Sequence, residues 1–243
     1  MEIVKKAGLH MSALIHTELL SLRYGDRLIW YDINLIVESR QIVAVVGLNG
    51  SGKTSLFRIL GGLQRPTNGS ITGSAYVGRP SMPHSLFIPV DPFVYEHLTI
   101  QEMLMFYAGL TDASKNDALS LQARLGLDEY AQQKVSRVSF GTRAKLSICL
   151  AFLSPSNLLL IDELYNGLDP LAVQTVSELI CERAATGTAI LISSHSLELV
   201  QTIANRILIL KDQTISEIME NDRDQLNLRQ LLLSSDRAED QLQ

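Results

Sequence analysis

The sequence predicts an α/β fold: a mainly parallel sheet, an N-terminal antiparallel β subdomain and an inserted α-helical subdomain. Three observations predict it. A glycine-rich stretch, GLNGSGKTS at 47–55, lies between the apolar run QIVAVV and the helical pattern LFRIL. After residue 153, short apolar runs alternate with amphipathic helical stretches, the pattern of strands buried on both faces by helices. Before that alternation, from about Leu98 to Leu153, the chain reads as continuously helical. The 243 residues, 46% of them hydrophobic, suit one large domain or a domain with a sizeable insertion.

Residues 1–11 read as an N-terminal extension. Lys5 and Lys6 precede a mildly apolar stretch that His10, Ser12 and His16 interrupt, which is unlike a signal peptide, and Met11 is an alternative start. Residues 12–40 predict two or three strands, with Tyr24-Gly25-Asp26 as a turn. A buried strand over 41–46, the glycine loop and a helix through Leu56, Phe57, Ile59 and Leu60 follow. Residues 68–89 carry Gly, Pro and Ser around short strands. In the helical block, LTIQEMLMFYAGL and ASKNDALSLQARLGL are amphipathic, with Thr99 and Thr111 as expected N-caps. Then NLLLID reads as a strand, PLAVQTVSELICERAA as a helix, TAILISS as a strand, SLELVQTIA as a helix and RILILK as a strand. A short final strand, a helix near 223–234 and the polar tail DRAEDQLQ complete the chain.

The glycine stretch fits G-x-x-x-x-G-K-[ST] through Gly47, Gly52, Lys53 and Thr54. Successive N–H groups of such a loop form an anion-binding concavity, and the new helix adds its positive end. Lys53 would reach the outer phosphates and Thr54 would sit on Mg²⁺, which makes this a P-loop NTPase core. Asp162 and Glu163 end the apolar run NLLLID, where a strand delivers a carboxylate to a metal beside the loop. His195, just past TAILISS, has the same kind of position, and Tyr24 could stack on a purine.

Composition excludes several classes. The net charge of −5 argues against a general nucleic-acid binder. No apolar run reaches the roughly 18 residues that span a bilayer. Cys149 and Cys181 both fall in apolar helical patterns and read as small core residues in a reducing compartment.

GLNGSGKT, LLLIDE, the GLDP after it, the ISSH histidine and the RYGD tyrosine, in that spacing, resemble the ATP-binding-cassette ATPases, the nucleotide-binding subunits of ABC transporters. The resemblance covers about residues 12–220, with a helical subdomain at about 92–153 and a C-terminal helix and tail at 221–243. It implies ATP and Mg²⁺ as cofactors. Nucleotide would be bound by Tyr24, Gly47, Asn49, Gly50, Ser51, Gly52, Lys53, Thr54 and Ser55. Thr54 and Asp162 would hold the metal, and Lys53, Glu163 and His195 would act in hydrolysis.

Other family marks are altered. The signature usually reads LSGGQ; here Ser139 and Gly141 are kept, while Phe140 and Thr142 stand for Gly and Gln. In the family this segment reaches the γ-phosphate held by a second subunit, which Ser139 and the Gly141 N–H can still do. Val90 stands where the family places a glutamine that touches Mg²⁺, with Asp91 adjacent. Leu164 replaces a proline and Arg40 a glycine. These departures bear on hydrolysis rate and coupling rather than on ATP binding.

The implied partners are a second ATP-binding cassette, identical or not, and a membrane permease docked near Val90–Leu98, with no nucleic acid. That places the chain peripherally on the cytoplasmic face of the membrane. YEHLTIQEML, SFGTRAKLS and NGLDP are similar to the ATPases of two-part exporters, with import open. The alternatives are a cassette that binds ATP without turning it over beside an active partner, and a non-transport soluble ATPase. Glu163 speaks against the former, and the short single cassette at −5 against the latter.

Overall fold

A computed structural model describes residues 13–74, 85–91, 94–163, 165–194 and 197–219. The expected extension and the expected helix near 223–234 lie outside these residues.

Two long strands, β1 (Ile15–Tyr24) and β2 (Arg27–Val37), form an antiparallel hairpin whose turn is Gly25–Asp26. The third strand of that sheet is β4 (Asn68–Thr72), paired with β1, so the order is β2-β1-β4. The larger sheet contains β3 (Ile42–Val46), β5 (Ser85–Ile88), β6 (Leu158–Ile161), β7 (Ala189–Ser193), β8 (Arg206–Lys211) and β9 (Thr214–Met219). Its order is β5-β6-β7-β3-β8-β9, parallel throughout except for the β8–β9 hairpin at one edge.

Both faces of this sheet are buried, as the unbroken apolar runs predict. Ile42, Ala44 and Val46 of β3 join Leu159, Ile161, Ile190, Ile192, Ile207 and Ile209 in one core. Val43 and Val45 join Leu158, Leu160, Leu191, Leu208 and Leu210 in the other. The second core contains Trp30 and α1 (Lys53–Leu60) and closes against the antiparallel sheet. The first is covered by α2 (Ile100–Leu110), α4 (Phe140–Leu153), α5 (Pro170–Ala185) and α6 (Leu197–Ile203). Helix α3 (Lys115–Arg124) adds Ala118 to it.

Helices α2, α3 and α4 lie in chain order between β5 and β6. Thr99 caps α2 through a complete capping box with Glu102. Thr111 does not cap α3. It ends α2, its hydroxyl donating to the Tyr107 carbonyl at 3.0 Å, and Ser114 caps α3 instead. Both residues are hydroxyl-bearing, and the deciding factor is which of them adopts the extended backbone at the helix start. Cys149 is buried and its thiol is pushed up by desolvation. Cys181 is exposed on α5, against the expectation of a core position: the apolar stripe of that helix runs through Val176, Leu179, Ile180 and Ala184.

Strand order decides where a site can form. β3 ends at Val46, β6 at Ile161 and β7 at Ser193, and the register places these ends on one edge of the sheet. The chain turns back across the sheet at β3, with β7 on one side and β8 on the other. Crevices at such carboxyl-end switch points hold ligands in open α/β sheets.

Candidate functional site

The glycine loop leaves β3 at this edge and enters α1. Gly52 begins the helix at φ +99°. A Cβ there would lie 2.6 Å from Ile29 Cγ2 and 2.7 Å from the Trp30 indole nitrogen, so the position needs glycine for backbone conformation and for space alike. The one tryptophan of the chain thus forms the floor of the loop, from another sheet.

Lys53 is nearly buried. Its ammonium donates to the carbonyls of Gly47 at 2.9 Å and Leu48 at 3.2 Å. Burial holds its pKa below the ordinary lysine value, with the charges of Glu163 and Asp162 opposing the shift. Ser51 closes the loop through its N–H to the Leu48 carbonyl, and its buried hydroxyl has no hydrogen-bond partner among the described residues. Asn49, Gly50, Gly52, Lys53, Thr54 and Ser55 line a cleft of about 320 Å³ together with Tyr24, Arg27, Ile29 and Glu163. Tyr24 stands half exposed at its mouth. Its phenol oxygen is 3.1 Å from Ser55 Oγ and accepts from Gln64 Nε2 at 2.9 Å, which fixes the ring beside α1.

Across the cleft, Thr54 Oγ1 donates to Asp162 Oδ2 at 2.6 Å. The other carboxylate oxygen accepts from Ser193 Oγ at 2.5 Å, and Ser193 Oγ accepts the Glu163 N–H at 2.8 Å. One serine therefore orients the metal-type carboxylate and its neighbour together. Glu163 has φ +51°, a left-handed conformation that costs a non-glycine residue free energy and is held here by those contacts. Ser193 is absent from the sequence reading. Its only signal is that it ends an otherwise apolar strand, TAILISS, two positions before His195.

The structure brings Tyr24, the loop residues, Lys53, Thr54, Asp162 and Glu163 together. Ser139 and Gly141 are elsewhere: Ser139 caps α4, and no residue of that segment lines the cleft. A Cβ on Gly141 would strike the Gly167 carbonyl, and Thr142 takes up the Ser139 hydroxyl at 2.9 Å. His195 and Leu164 lie outside the described residues. Val90 is half-buried beside Asp162, Glu163 and Ser147 of α4. Beyond it Tyr95 is exposed and meets Phe106 edge-on, ring centroids 5.7 Å apart.

The donors fit a hard divalent cation. A hydroxyl and a buried carboxylate converge, both oxygen ligands, beside a loop and helix start that suit phosphates. Among the described residues no group of three His, Cys, Asp or Glu could hold a metal alone.

A family profile described as ABC transporter matches residues 31–166. The lantibiotic transport ATP-binding protein SrtF of Streptococcus pyogenes is 30% identical over 205 residues, covering 83% of this chain and 87% of that protein. The zinc import ATP-binding protein ZnuC of Roseobacter denitrificans is 31% identical over 206 residues, 84% of this chain and 78% of its own length. A solved structure of an ATP-binding subunit of an ABC transporter superposes with a TM-score of 0.79 at 29% identity, covering 93% of this chain and 98% of its own. No helix among the described residues is long and apolar enough to cross a membrane.

Proposed function

The chain belongs to the ABC transporter family as an ATP-binding subunit, and on that premise we propose that it hydrolyses ATP with Mg²⁺ to drive a membrane permease, in the direction of export. The observation that carries this is Asp162, just past the end of β6, held by Thr54 of α1 and by Ser193 at the end of the adjacent β7, beside a loop whose lysine is poised next to it.

In this reading Thr54 and Asp162 hold Mg²⁺, and Tyr24 stacks on the adenine. Lys53 exchanges the Gly47 and Leu48 carbonyls for the outer phosphate oxygens, where a full ammonium charge is favoured again. Bound magnesium supplies neutralisation of the charge that builds on the phosphates. Glu163 takes the proton of the attacking water, and His195 contacts the γ-phosphate. Since Ser139 and Gly141 lie outside the cleft, a second cassette supplies them, and the pair closes around ATP and opens after hydrolysis. The permease docks near Val90–Leu98, where Tyr95 and Phe106 present aromatic surface, on the cytoplasmic face of the membrane. The division into a cassette at 12–220 and a helical subdomain at 92–153 belongs to the same proposal. Export rests on the similarity of YEHLTIQEML, SFGTRAKLS and NGLDP to two-part exporter ATPases; the zinc import subunit marks the opposite direction.

Equilibrium binding of labelled ATP and release of phosphate, in the wild type, Lys53→Ala and Glu163→Gln, test the proposal. Lys53→Ala loses binding, while Glu163→Gln binds and does not turn over. One observation favours a second reading, an ATP-binding cassette without turnover: Val90 presents no polar group to the acidic pair. A wild type as inert as Glu163→Gln, with the permease present, would establish it.

A further inference from the structure

Tyr24 stands at the mouth of the cleft with half of its surface open to solvent. A side chain that exposed keeps rotamer freedom unless its tip is tethered. The Tyr24 phenol oxygen is tethered from two sides. Ser55 Oγ of α1 lies 3.1 Å away, and Gln64 Nε2 donates at 2.9 Å, with Gln64 Oε1 at 3.2 Å. Ser55 lines the cleft and Gln64 does not.

Gln64 owes its place to the way α1 ends, in LGGLQ at 60–64. Gly62 has φ +73°. Its N–H donates to the Ile59 carbonyl at 3.0 Å, and the Leu63 N–H donates to the Arg58 carbonyl at 2.8 Å. This pair of bonds closes a helix through a left-handed residue. The Gln64 N–H shares the Arg58 carbonyl at 3.2 Å. Three residues on, Thr67 joins the strand that carries the tyrosine. Its N–H donates to the Ser21 carbonyl at 2.8 Å, and its Oγ1 accepts the Arg23 N–H at 2.9 Å. The segment 64–67 is thus fixed to α1 at one end and to β1 at the other, and the Gln64 amide meets the phenol between them.

We propose that Gln64 is a positioning residue for the nucleotide base, which sets the Tyr24 ring in its stacking orientation before the base arrives. Gln64 Nε2 acts as donor, so the phenol keeps its own proton for Ser55 Oγ and both bonds form together. A ring fixed in advance loses little freedom on binding, and more of the stacking appears as affinity. Gln64 acts only through Tyr24, from outside the cleft. This role rests on the reading of the cleft as an ATP site with Tyr24 against the adenine.

The test is calorimetric titration of the full chain, with Mg²⁺ present, by two probes: the non-hydrolysable ATP analogue AMP-PNP, and inorganic tripolyphosphate, which has no base. Gln64→Leu should weaken AMP-PNP binding by about two- to tenfold, the range expected when one side chain must be ordered on binding. Tripolyphosphate affinity should stay within about twofold. Tyr24→Phe keeps the ring and removes both tethers, so it should lose at least as much, and Gln64→Leu should add nothing in that background. Unchanged or tighter AMP-PNP binding in Gln64→Leu overturns the inference, as does an equal loss for tripolyphosphate or a further loss in the double variant. Each of those outcomes leaves the ATP site intact. If the wild type shows no AMP-PNP binding that Lys53→Ala abolishes, the reading of the site itself falls, and this inference with it.

Discussion

Arg40 has φ +66°, a region where a side chain costs about 1–2 kcal/mol and glycine costs nothing sterically. It is exposed in the turn before β3. Arg40→Gly should stabilise the protein by a net ~0.5–1 kcal/mol, because relief of the backbone exceeds the extra freedom given to the unfolded chain. Thermal unfolding should shift upward by about 1–4 °C. Ser193 makes the opposite case. Ser193→Ala removes the donor to Asp162 and the acceptor of the Glu163 N–H while leaving Lys53, Thr54, Asp162, Glu163 and His195 in place. Phosphate release should fall by about tenfold or more, since one hydrogen bond to a charged group is worth ~1.5–3 kcal/mol. An unaltered rate would show that Asp162 needs no support from β7.

Between elements, the start of α4 and the loop before α5 interlock. Gly167 has φ +74°, and a Cβ there would lie 2.6 Å from Phe140 Cδ1. The Phe140 ring thus occupies the room that the absent side chain leaves, which gives the altered signature residue a packing role. Gly167→Ala should cost about 1–3 kcal/mol in urea unfolding, from backbone strain and overpacking together. Phe140→Ala should return the overpacking part in the double variant, and strictly additive losses would refute the contact. The same interface carries Lys145 on Asp169 at 2.8 Å, the carboxylate that also caps α5. Farther out, Arg124 holds Glu182 with two hydrogen bonds, at 2.8 and 2.9 Å, joining α3 to α5. That pair is solvent-accessible, so it fixes orientation more than it adds stability.

For the whole molecule, Ser139 and Gly141 stand apart from the cleft lined by the glycine loop, which is why the proposed function calls on a second cassette. The exposed Tyr95–Phe106 pair lies on the helical side, continuous with Val94 and the core beneath it. Tyr95→Ser with Phe106→Ser should abolish co-purification with the permease and leave AMP-PNP affinity within about twofold, because hot-spot aromatics contribute to docking and not to the cleft. Loss of both properties together would place those rings in the fold of the site instead.

Elements were legible wherever local pattern decides them. The core strands are unbroken apolar runs, α5 begins at Asp169-Pro170, and the loop residues, Asp162 and Glu163 follow one another at fixed spacing along a strand and turn. The lining of the cleft is therefore readable as a set of residues. The tertiary structure alone decided that β4 leaves the larger sheet to pair with β1, that Trp30 lies under Gly52, that Ser193 grips Asp162, and that Cys181 faces outward. Each of these joins residues distant in sequence, or selects one face of a helix. Such choices follow from strand order and packing, which short-range periodicity does not encode.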